Sequence, residues 1–130
     1  MIWRRCPLLA LAVAFILQGC ASEVARSGVA FRPAQAKMRR TLEVGSLLTL
    51  TLATGYQRSV PTGSRWEYTG SVPQGEVYRP VGTVFTIEGA NMHEAYLVLR
   101  EGRVVGFYLP GERAFSALEP PAPMTYKTIP

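Results

Sequence analysis

Arg65-Trp66-Glu67-Tyr68-Thr69-Gly70-Ser71-Val72 alternates in two sets, with Trp66, Tyr68, Gly70 and Val72 on one parity and Arg65, Glu67, Thr69 and Ser71 on the other. A period of two with apolar and polar faces is the signature of a half-buried β-strand. The same turn device brackets it. Ser59-Val60-Pro61-Thr62-Gly63 recurs twelve residues later as Ser71-Val72-Pro73-Gln74-Gly75. Both copies suit a type I turn, with proline at the second position and glycine at the fourth, and the interval holds one strand.

Working outward, the same periodicity continues in both directions. Leu42, Val44, Leu48, Leu50 and Leu52 share a parity opposite Glu43, Thr49 and Thr51, which reads as one strand with a bulge at Gly45-Ser46. Phe85 and Ile87 alternate with Val84, Thr86 and Glu88. Further turn signals stand at Gly89-Ala90-Asn91, Glu101-Gly102 and Pro110-Gly111. Turns at this spacing predict an all-β domain, a small antiparallel barrel or sandwich of six or seven strands between residues 41 and 118. A domain of that size has little core to spare.

The runs His93–Leu99 and Val104–Leu109 around Glu101-Gly102 predict a tight hairpin. With a two-residue loop, Arg100 faces Arg103, Leu99 faces Val104 and Val98 faces Val105. One face then carries Ala95, Leu97, Leu99, Val104 and Tyr108, and the other carries Tyr96, Val98, Val105, Phe107 and Leu109. Both faces are apolar, so the hairpin must be covered twice. The cover is either intramolecular, from the Leu48-Leu50-Leu52 strand and the tail, or a second protein, for which Tyr96, Val98 and Tyr108 are the candidate contact residues.

The amino-terminal region has a different organisation. Arg4 and Arg5 precede an uncharged apolar run from Pro7 to Leu17, followed by Leu17-Gln18-Gly19-Cys20. The run is too short for a bilayer core of ~30 Å, which needs ~20 apolar residues, and has the form of an export signal. Leu17, Gln18, Gly19 and Cys20 resemble the lipobox of bacterial lipoprotein signal peptides, a resemblance confined to residues 1–21. It implies cleavage before Cys20, a diacylglyceryl thioether on its sulfur and acylation, for instance by palmitate, of the freed amine. Two or three chains anchor a protein stably where one does not. Ala21 stands where lipoproteins retained in the inner membrane carry aspartate. By analogy the destination is the outer membrane, facing the periplasm.

On this reading residues 1–19 are the signal peptide, 20–40 the lipid anchor and a flexible tether, 41–118 the β domain and 119–130 a proline-rich tail. The tether spans up to ~65 Å at ~3.3 Å per residue. Its Lys37-Met38-Arg39-Arg40 cluster is either a solvated linker end or a contact for anionic headgroups. The tail Glu119-Pro120-Pro121-Ala122-Pro123 is expected to run extended, outside any inner strand.

Cleavage removes Cys6 and lipidation consumes the thiol of Cys20, so no disulfide is possible and the core must suffice. Losing Arg4 and Arg5 leaves 12 basic against 9 acidic residues, a net charge of +3 in place of +5. Nucleic acid is not the expected partner in that compartment. The chain has one histidine and no aspartate, which leaves no usual metal-ligand set, cofactor motif or catalytic constellation. His93 and Glu94 are strand neighbours and point to opposite faces, so His93 reads as a surface or edge histidine. The expected function is a non-catalytic, lipid-anchored envelope protein that binds a protein partner as an assembly, scaffold or secretion accessory factor. The alternative is a small inhibitor or ligand-binding module, resembling in outline the β-barrel lipoproteins that inhibit lysozyme.

Overall fold

A computed structural model describes residues 22–130. The signal peptide, the lipobox residues Leu17, Gln18 and Gly19, and Cys20 lie outside the described residues. Among the described residues the fold is all-β and antiparallel, with a single 3-10 turn at Ala36–Met38. In chain order the strands are β1 (Ser27–Gly28), β2 (Arg32–Pro33), β3 (Thr41–Val44), β4 (Leu48–Thr51), β5 (Gln57–Val60), β6 (Arg65–Val72) and β7 (Gly75–Pro80). They continue as β8 (Thr86–Glu88), β9 (Met92–Glu94), β10 (Tyr96–Arg100), β11 (Arg103–Leu109), β12 (Ala114–Pro123) and β13 (Tyr126–Ile129).

The main sheet runs β1-β12-β11-β10-β7-β6-β3-β13, with β2 lying beside the far half of β6. Only Met124 and Thr125 separate β12 from β13, yet these two strands pair near opposite ends of that order. The sheet must therefore curl around its core, giving a small sandwich rather than a closed barrel. Two separate hairpins, β4–β5 and β8–β9, cover the inner face with Leu50, Val60 and Ile87, against Trp66, Leu97 and Phe107 from the main sheet.

The strand predicted as cleanest is β6, and Pro73-Gln74 forms the two-residue loop that pairs Val72 with Gly75. Its parity is broken once. Register passes from Tyr68↔Tyr78 to Gly70↔Val77, leaving Thr69 as an extra residue. Trp66 and Tyr68 consequently join the inner cluster while Val72 joins a second, outer one, because one inserted residue reverses every side chain beyond it. The expected single strand through Gly45-Ser46 is two strands in different sheets. Leu42, Val44, Leu50 and Leu52 are nonetheless all buried, since alternation reports which side is inward and carries nothing about which strand lies alongside.

Residues beyond the expected domain limits are also part of the sheet. β1 pairs with β12, β2 with β6, and β13 with β3. The tail is strand, with Val104↔Ala122 and Arg103↔Pro123 in register. Between Ala117 and Ala122 the ladder is interrupted, and Pro120 and Pro121 fall in that interruption, where their missing N–H groups forfeit no ladder bond.

Candidate functional site

The hairpin forms around Glu101 (φ 52°) and Gly102 (φ 75°), both left-handed, the backbone of a type I′ turn. Arg100↔Arg103 and Leu99↔Val104 pair as expected, but Val98 pairs with Gly106, so Val105 is a bulge. The expected faces are corrected accordingly. Phe107 and Leu109 turn inward with Leu97 and Leu99, while Tyr108 and Val105 turn outward with Tyr96 and Val98. Thus Tyr96, Val98 and Tyr108 share one face.

That face is already covered. Val29 and Phe31 pack on it, and the Phe31 ring stacks on Tyr108 with centroids 4.9 Å apart and planes 16° from parallel. Val98 is 0 % and Tyr108 5 % exposed; Tyr96 is half-buried. The strap fits because Gly70 lies under it, where a Cβ would stand 2.4 Å from Phe31 Cζ and 2.3 Å from the Arg32 carbonyl oxygen. The outer cover therefore comes from the segment expected to be a free tether. Val29 and Phe31 are its only signal, a two-step alternation too short to stand out from a linker.

The start of that segment is held by a polar cluster. Val24 is 3 % exposed in the inner core. Beside it, Glu23 Oε1 lies 3.0 Å from His93 Nε2, and Glu112 Oε1 lies 2.7 Å from His93 Nδ1. Asn91 donates to the other Glu23 oxygen. His93 lies on the edge strand β9 but is buried at 6 % exposure, which corrects the surface half of the expectation; Glu94 is exposed. The hydrogen bonds from His93 and then Asn91 hold the Glu23 carboxyl down to about 2. Its bonds to Glu23 and Glu112 raise the His93 imidazole, and His93 lowers Glu112 in turn. With a carboxylate oxygen against each ring nitrogen, both nitrogens of the imidazole are engaged within this cluster. The partners lie 70 and 19 residues from His93 in sequence, beyond any local pattern.

Of the basic cluster Lys37-Met38-Arg39-Arg40, the two arginines that follow the 3-10 turn have partners within the fold. Arg40 meets Glu76 at 2.5 Å, donates from Nε to Tyr78 Oη at 3.1 Å and lies over the Tyr68 ring at 4.2 Å. Arg39 faces Glu67 at 3.8 Å. Burial, with the bond Tyr78 donates to Glu76 adding to it, pushes the Tyr78 phenol up to about 12. This network fastens the β2–β3 link to β6 and β7.

An open apolar site lies elsewhere, in a groove of about 420 Å³ between β5, the start of β6 and the loop after β7. Trp66 and Phe85 form its floor, edge to face with centroids 5.2 Å apart. Val81 and Val84 border it and are exposed, Val84 at 65 %. Arg58 lies over Phe85 at 4.4 Å and donates from Nε to the Thr86 carbonyl at 2.9 Å; Arg65 stands at the mouth. Neither arginine has a carboxylate within salt-bridge reach among the described residues. Arginines beside an aromatic floor suit a ligand that is apolar and anionic at once. Compared with known proteins, the chain matches no family model, no curated protein and no solved structure.

Proposed function

We propose that this protein is a non-catalytic lipoprotein of the outer membrane, facing the periplasm, joined to lipid through Cys20 and binding a protein partner with its β domain. The observation that carries the reading is where the fold begins. Ser22 accepts from the Ala90 N–H, Glu23 is bonded to His93 and Val24 is core, so the described fold takes hold within three residues of Cys20 in sequence. A lipid on Cys20 then holds the domain within ~10 Å of the headgroups, three steps of ~3.3 Å. The tether of ~65 Å is replaced by a short leash. Two further features support a binding role over catalysis: the imidazole of His93 is saturated by two carboxylates, and the groove over Trp66 and Phe85 is open.

The test is metabolic labelling with an alkyne analogue of palmitate in a bacterial host. The wild-type chain is expected to take the label and fractionate with membranes, and Cys20→Ala to lose both. An unlabelled wild-type product with its leader intact refutes the anchor.

A further inference from the structure

We infer that the groove over Trp66 and Phe85 binds an extended peptide segment that places a carboxylate next to a bulky apolar side chain. This rests on the binding role proposed above and names the chemistry of the partner. The groove of about 420 Å³ lies at the lower end of the size of ligand sites, room for one or two side chains rather than a folded surface. Its floor is aromatic, and its rim keeps Val81 and Val84 in solvent, apolar surface that an anchoring side chain would cover. The charged residues that line it are both arginines, Arg58 and Arg65. The Arg58 guanidinium spends its Nε on Thr86 and leaves its outer nitrogens without a carboxylate, and Arg65 is exposed. Planar guanidinium groups bind carboxylates through paired, charge-assisted hydrogen bonds.

The backbone argues for a peptide over a small amphiphile. Among the described residues β5, which lines the groove, pairs only with β4, and β8, which begins just after the lining residue Phe85, pairs only with β9, so each keeps an unpaired edge, whereas β6 is paired on both sides. The Arg58 side chain, reaching the Thr86 carbonyl, bridges the two where no main-chain ladder does. An extended chain can take up such edge groups while alternate side chains enter the pocket. A fatty acid cannot use them.

The experiment is selection from a random heptapeptide library on the full-length protein in mild detergent. Anisotropy with enriched peptides follows, against the wild type, Arg65→Gln and Arg58→Gln. Enriched sequences are expected to carry Asp, Glu or a free carboxyl terminus within two residues of an aromatic or branched apolar residue. Amidating that carboxylate, or Arg65→Gln, is expected to weaken binding about tenfold. Arg65 is exposed, so its variant reports binding even where Arg58→Gln disturbs Phe85. Sodium laurate serves as the competing amphiphile. No enrichment, enrichment without acidic bias, affinity unchanged in Arg65→Gln, or displacement by laurate at concentrations below its micelle point would each overturn the inference. None of these outcomes depends on lipidation, which the palmitate label reads separately.

Discussion

Gly70→Ala tests whether the strap over the outer face is part of the fold. The new methyl would stand 2.3 Å from the Arg32 carbonyl oxygen and 2.4 Å from the Phe31 ring, so β2 must lift away from β6. Three contributions are lost together. Half-burial of Phe31 is worth ~1 kcal/mol on the scale of full phenylalanine burial, and its stacking on Tyr108 another ~1 kcal/mol. The Arg32↔Ser71 and Pro33↔Gly70 pairing adds ~1 kcal/mol net after exchange with water. The variant is therefore expected to lose ~3 kcal/mol in urea unfolding, a fall of roughly 12 °C in Tm for a domain of this size, and to bind a hydrophobic dye at the uncovered Val98 and Tyr108. Phe31→Ala alone is expected to lose ~2 kcal/mol. Combined with Gly70→Ala, it is expected to add less than ~0.5 kcal/mol, because the ring it removes has already left its site. A loss below ~0.5 kcal/mol in Gly70→Ala, or full additivity in the double variant, would refute the coupling of strap to sheet.

The His93 cluster predicts a stability maximum in weak acid. Glu23 and Glu112 have lowered pKa values, so their contribution is complete above the ordinary 4.5 and fades as pH falls through the lowered values. His93 is raised, so its contribution is complete below the ordinary 6.5 and fades as pH rises through the elevated value. Urea midpoints between pH 3 and 9 should peak between those limits, and His93→Gln should flatten the alkaline limb; an unchanged limb would count against the triad. Glu101→Asn is expected to stabilise the hairpin by ~0.5 kcal/mol, because asparagine tolerates the left-handed φ of 52° better than glutamate; a thermal melt decides the sign. Arg40→Lys keeps the charge but loses the Nε bond to Tyr78 and the planar contact with Tyr68, and should cost about 1 kcal/mol by denaturant titration. A variant as stable as the wild type would reduce that network to an exposed ion pair.

The legible part of the fold was whatever local periodicity controls. Trp66 and Tyr68 are inward, Pro73-Gln74 turns the chain, and Glu101-Gly102 closes the hairpin. Each follows from alternation or turn chemistry over a few neighbouring residues. The errors in between come from single inserted residues. Thr69 and Val105 leave no mark in composition, yet each exchanges the faces of everything after it in its strand, which is why unbroken alternation puts Phe107 and Tyr108 on the wrong sides.

Alternation and turn chemistry are enough to read an antiparallel β architecture, the positions of its turns and the inward identity of most core residues, because hydrophobic alternation is a local property of the strand. Tertiary structure decided what covers the hairpin, which carboxylates hold His93, and where Arg58 and Phe85 meet. Those depend on contacts between segments tens of residues apart, such as Glu23 with His93 and Phe31 with Tyr108. No local pattern encodes such pairings; packing selects them when the curled sheet brings the amino-terminal strap, the hairpin and the carboxyl-terminal strands together around two apolar clusters.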